Sequence, residues 1–94
     1  MTARLLLREW RIVAEDRFAE VVIWHVPGPV RGSDHNYKYS LAFVVNGVCV
    51  SRFDNEAGKG DHKHLGEIEV AYDFTTLPQL VMHFWDPVEA WRPG

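Results

Sequence analysis

The stretch from Arg52 to His64, RFDNEAGKGDHKH, carries most of the chain's capacity for chemistry. His62 and His64 sit two apart, flanked by Asp61, with Lys59 upstream between Gly58 and Gly60. An unperturbed imidazole titrates near pH 6.5, so one histidine can accept a proton while another donates one. That pair suits RNA cleavage, in which a 2′-hydroxyl attacks its own phosphate while Lys or Arg meets the charge building on phosphorus. His62 and His64 are the candidate acid and base, and Lys59 and Arg52 the candidate phosphate ligands. Asp54, Asp61 and Tyr39 are candidates to orient an imidazole.

Two other readings of the same residues stay open. Asp61, His62 and His64, with Asp54 in reach, form a His-X-His and carboxylate set able to hold a divalent ion, although the spacing matches no zinc motif. The plainer alternative is a solvated loop whose histidines do nothing. The glycines let backbone amides approach an anion, but the spacing is not that of a P-loop. His35 lies in a Pro/Gly loop that leads into Tyr37-Lys38-Tyr39. It is grouped with Lys38 and Tyr39 as substrate-binding. His25 and His83 read as structural or surface residues.

The elements that must position this stretch read as follows. Leu5 to Val13 and Phe18 to Val26 form a hairpin through a polar turn. Residues 27 to 36 form a loop. Tyr37 to Val45 is the clearest strand, with Tyr37, Tyr39, Leu41, Phe43 and Val45 on one face. Asn46-Gly47 predicts a type I′ turn into a strand reaching Phe53. Uninterrupted alternation from that turn places Leu41 opposite Arg52 and Tyr39 opposite Asp54, so both charges would project from the apolar face beside the tyrosines. Ala57 to Gly66 reads as loop and Glu67 to Phe74 as a fifth, edge strand. If the segment at 61–64 is extended, His62 and His64 point one way and Asp61 and Lys63 the other.

Thr76 caps a helix with Gln79 at capping-box spacing. Leu77, Leu80, Val81, Phe84, Trp85 and Val88 form its apolar stripe, and Pro87 is expected to bend or end it. The predicted fold is α+β: a mostly antiparallel five-stranded sheet with one C-terminal helix packed on one face.

Ninety-four residues make one domain, 1–94. A net charge of −3 excludes the global basic signature of a dedicated nucleic-acid binder, though not a local basic site. The single cysteine, Cys49, cannot form an intrachain disulfide; it reads as a small core or half-buried residue in a reducing, cytoplasmic compartment. No apolar run approaches the roughly 20 residues of a membrane span. The apolar face bearing Ala42, Val44 and Phe53 hints at a partner surface or a homodimer.

Three segments and the central string together resemble a known family. They are Ile23-Trp24-His25-Val26-Pro27, His35-Asn36-Tyr37-Lys38-Tyr39, the Asn46-Gly47 hairpin, and Asp54-Asn55-Glu56-Ala57-Gly58-Lys59-Gly60-Asp61-His62-Lys63-His64. Their order and spacing are similar to the TumE family of toxin–antitoxin toxins, from about Ile23 through the C-terminal helix. The resemblance implies a small bacterial cytosolic toxin. It also implies a cognate antitoxin, usually a helix-turn-helix protein that binds the toxin and represses the operon. The family often has Arg between the two histidines, where this chain has Lys63, so a bidentate phosphate contact there would be weakened.

Combined with the residue chemistry, the expectation is a toxin acting as a metal-independent endoribonuclease without a cofactor. The alternatives are a metal-binding nuclease and a non-enzymatic toxin that inhibits a host protein.

Overall fold

The computed structural model describes residues 2–56 and 58–93; Met1, Ala57 and Gly94 lie outside them. The elements are β1 (Arg4–Ala14), β2 (Arg17–His25), β3 (Tyr37–Val45), β4 (Val48–Asp54), β5 (His62–Leu65), β6 (Ile68–Ala71) and α1 (Leu77–Ala90). The strands form one antiparallel sheet in chain order, β1 to β6. Chain-order pairing is the natural product of short connections that favour antiparallel neighbours.

The α+β reading holds, with six strands in place of five. The added strand is β5, inside the region expected to be loop. Its residues His-Lys-His-Leu carry little β propensity, but Gly66-Glu67 makes a tight turn with Gly66 at φ 63° and closes a hairpin onto β6. Strand β6 lies at the sheet edge, as expected.

Helix α1 covers one face. Its Leu80, Phe84 and Val88 join Ala19, Val21 and Ile23 of β2, Tyr39, Leu41 and Phe43 of β3, and Phe53 of β4 in a single buried cluster. Each large apolar side chain so buried contributes about 1.5–3 kcal/mol. Thr76 Oγ1 accepts the Gln79 amide at 3.2 Å, the cap expected from the sequence. Pro87 does not end the helix, which continues to Ala90. Pro87 sits in the last turn, where a lost amide bond disturbs little. Trp91 is half-buried just beyond α1, edge-on to Phe43 at 5.9 Å and beneath the Arg17 guanidinium at 5.0 Å.

The hairpin after β3 departs from the expected register, and the departure decides where the site lies. Asn46 and Gly47 both have positive φ, 50° and 78°, as a type I′ turn requires. Val45 pairs with Val48 and Val44 with Cys49. Val50 is then an extra residue, and the ladder resumes with Phe43 opposite Ser51, Leu41 opposite Phe53 and Ser40 opposite Asp54. This β-bulge reverses which side chains face the helix.

Arg52 and Asp54 therefore lie on the open face, away from Tyr39, and not on the apolar face expected for them. The physical reason is a comparison of burials. Without the bulge two unpaired charges would enter the core, at several kcal/mol each, while Phe53 would be left outside. With it, Phe53 is 4% exposed and stands edge-on to Phe84. Phe53 accordingly cannot share a partner surface with Ala42 and Val44. Cys49, expected to be at least half buried, is exposed.

Candidate functional site

The register of β4 and β5 builds the site. Asp54 pairs with His62 and Arg52 with His64, so all four side chains project from the open face. His64 pairs in turn with Glu69 of β6. The extended geometry expected for residues 61–64 is realised from His62 onward: His62 and His64 share a face, with ring centroids 5.0 Å apart, and Lys63 turns to the other side over Phe53.

His62 is buried and held at both ring nitrogens. Its Nδ1 lies 3.0 Å from the Gly60 carbonyl, which accepts only, so that nitrogen carries the hydrogen. Its Nε2 lies 2.5 Å from Asp54 Oδ1. That contact is not aligned as a hydrogen bond, and among the described residues the buried Asp54 Oδ1 has no hydrogen-bond partner. Glu69 flanks the pair, Oε1 standing 3.8 Å from His62 Nε2 and Oε2 3.9 Å from His64 Nδ1. His64 is more open, with 32% of its side chain exposed. Donor atoms of Asp54, His62 and His64 all lie within 4.8 Å of one another. Arg52 is exposed and lines a shallow groove with His64, Cys49 and Gly66.

A second polar cluster forms on the Tyr39 side of the sheet, and it takes three residues expected at the first, Asp61, Tyr39 and His35. Asp61 Oδ1 accepts from Ser33 Oγ at 2.6 Å; Oδ2 accepts from Tyr39 Oη and His35 Nε2, both at 2.7 Å. His35 Nδ1 accepts the Tyr37 amide at 3.2 Å, which places the ring hydrogen on Nε2. The ring stacks on Phe74 at 3.8 Å. Burial alone would raise the Asp61 carboxyl, but the hydrogen bonds from Ser33, Tyr39 and His35 outweigh it and hold the group below the usual carboxylate range. The Tyr39 hydroxyl is pushed far above its usual range by burial and by its bond to Asp61. Tyr39, 3% exposed, has no surface on which a base can stack.

Beside this cluster two loops touch backbone to backbone. A Cβ on Gly60 would meet the Gly32 carbonyl oxygen at 2.8 Å, and Gly60 has φ 77°. Lys59 is exposed on the same rim. Asn55, fully buried, accepts the Tyr39 amide and donates to the Tyr37 carbonyl at 2.6 Å, fixing the end of β3 to the end of β4.

The nine candidates thus divide. Asp54, His62, His64, Arg52 and exposed Lys38 occupy the open face; Asp61, Tyr39, His35 and Lys59 lie on or beside the other. Glu69 and Asn55 were missed. The Gly66-Glu67 turn was the signal for Glu69, since a Gly-X hairpin there puts His64 opposite it.

A family model described as Toxin TumE matches residues 2–92. The chain belongs to the TumE toxin family. The match includes β1, so the TumE likeness runs further toward the N-terminus than the segments quoted above. TumE membership carries a toxin role and implies an antitoxin partner. No curated protein and no solved structure matches the chain. Among the described residues no helix is long and apolar enough to cross a membrane.

Proposed function

We propose that this TumE toxin cleaves RNA at the open face of its sheet. The observation that carries the proposal is the convergence of Asp54, His62 and His64 on a face that α1 leaves uncovered, with Arg52 alongside. In the reaction the 2′-oxygen bonds to the adjacent phosphorus and the bond from phosphorus to the 5′-oxygen breaks. The Asp54–His62–His64 cluster takes the 2′-proton and returns one to the departing 5′-oxygen. The products are a 2′,3′-cyclic phosphate and a 5′-hydroxyl. Arg52 meets the phosphate, and Lys38 lies within the same face as a further cation. Asp61 acts at a distance, by holding the loop from which His62 emerges.

The reading is tested by incubating antitoxin-free protein with RNA and mapping the ends. His64→Ala should reduce cleavage at least about a hundredfold, since proton transfer contributes roughly 10²–10⁴. Arg52→Ala should reduce it about a hundredfold while leaving stability unchanged, because Arg52 is exposed. Cleavage by His64→Ala at the wild-type rate would refute the assignment. No cleavage by the wild type would leave inhibition by binding as the toxin's mode of action.

For the antitoxin, taken to be a helix-turn-helix protein, β1 is the proposed seat. It is an edge strand with exposed Leu5, Leu6, Leu7, Trp10 and Ile12. An unpaired edge with apolar side chains is a surface that a partner covers.

A further inference from the structure

We propose that Asp54, His62 and His64 bind a first-row divalent transition-metal ion, with zinc the first candidate; the site is the one assigned above to RNA cleavage, and the inference deepens that reading. The argument begins with His62. Its Nδ1 hydrogen is committed to the Gly60 carbonyl, which leaves the lone pair on Nε2. That nitrogen lies 2.5 Å from a carboxylate oxygen, with no hydrogen-bond alignment between them. Two electron-rich atoms in contact and out of water repel unless something positive lies near both.

A shared proton would need an N–H aimed at the oxygen, and among the described residues none is aimed at Asp54 Oδ1. A cation bound by both atoms, with the His64 ring as a third ligand, removes the repulsion. An imidazolium at His62 is the competing answer.

The surroundings fit a metal. A ligating histidine commonly donates its other ring hydrogen to a backbone carbonyl, which fixes the tautomer and the ring plane. His62 and Gly60 have that arrangement. Zinc–nitrogen and zinc–oxygen bonds of about 2.0–2.2 Å place donor atoms roughly 3.3 Å apart, so displacements of about 1 Å convert the present cluster into a ligand set. Two imidazoles and one carboxylate favour zinc and its neighbours over magnesium or calcium, which prefer all-oxygen shells. Glu69, just under 4 Å from both histidines, is placed to complete the shell or to hold a bound water. The donors stand on paired strands, so little ordering is left for the ion to impose.

The test uses full-length protein without an affinity tag, stripped with chelator and titrated calorimetrically with zinc, then with magnesium. One saturable zinc site per chain is expected, and no heat with magnesium. Co²⁺ serves as a spectroscopic stand-in, with visible bands expected on binding. Asp54→Asn and His64→Ala should each weaken zinc binding at least a hundredfold. His83→Ala, which removes a histidine on α1, across the sheet from the site, should leave it unchanged.

Absence of saturable zinc binding, or binding that survives in both site variants, overturns the inference. RNA cleavage is measured in parallel with and without chelator. Zinc binding without any cleavage keeps the metal site and defeats the RNA reading. Chelator-resistant cleavage with no zinc binding does the reverse, and returns proton transfer to the histidines alone.

Discussion

Phe53→Ala is expected to lower stability by about 3–5 kcal/mol, a large share of the whole stability of a domain this size. Phe53 is buried edge-on to Phe84 and Tyr72, and the bulge at Val50 is what brings it there. Deletion of Val50 removes the bulge and leaves an uninterrupted hairpin in which Ser51 still falls opposite Phe43 and Phe53 opposite Leu41. The deletion should therefore fold with the same faces, losing only the partly buried Val50 side chain. The check is a thermal melt followed by near-ultraviolet circular dichroism, in which the deletion should melt cooperatively and above Phe53→Ala. A deletion that fails to fold would show that Val50 does more than set the phase of the strand.

The second large effect concerns Asp61. Asp61→Ala strands the hydroxyls of Ser33 and Tyr39 and the ring N–H of His35 in a largely buried setting, and should lower stability by about 3–5 kcal/mol. Its pH dependence has a defined sign. The folded carboxyl titrates below its usual range. The ionised group therefore stabilises the fold above the unfolded carboxyl pKa of about 3.9, and that contribution is lost as pH falls through the lower folded value. Urea titrations across a pH series should show a constant gap between wild type and Asp61→Asn from neutrality down to about pH 5, closing below pH 4. A gap that widens in acid would contradict the assignment.

How far the site could be read from the sequence is seen at two places. The Asn46-Gly47 turn fixes only the first pairs of its hairpin. Beyond them the phase depends on which residues α1 covers, a tertiary matter that local alternation does not contain. A trace was present all the same. Val48, Val50 and Phe53 are spaced two and then three apart, the break that a bulge makes in an apolar pattern.

The second place is β5. His62 to Leu65 has no strand-like composition, and its strand status comes from pairing on both sides. Once residues 61–64 are extended, the opposite directions of Asp61 and His62 follow. What the sequence could not supply is that Asp61 meets His35 and Tyr39, since that contact closes a loop of more than 20 residues. The apolar stripe of α1 and the central strands were legible because they repeat, whereas a site assembled from single residues does not.

Asp61 and His62 are neighbours in the chain, yet they serve opposite sides of the sheet. In a genetic screen for non-toxic alleles, changes at both positions would be recovered side by side and look alike. Growth temperature separates them. Substitutions at Asp61 weaken a fastening, so they should behave as temperature-sensitive alleles that regain toxicity in the cold. Substitutions at His64, which fastens nothing, should be silent at every temperature. A codon-by-codon map of conditional and unconditional alleles from Asp61 through β5 would then trace the pleat of that strand.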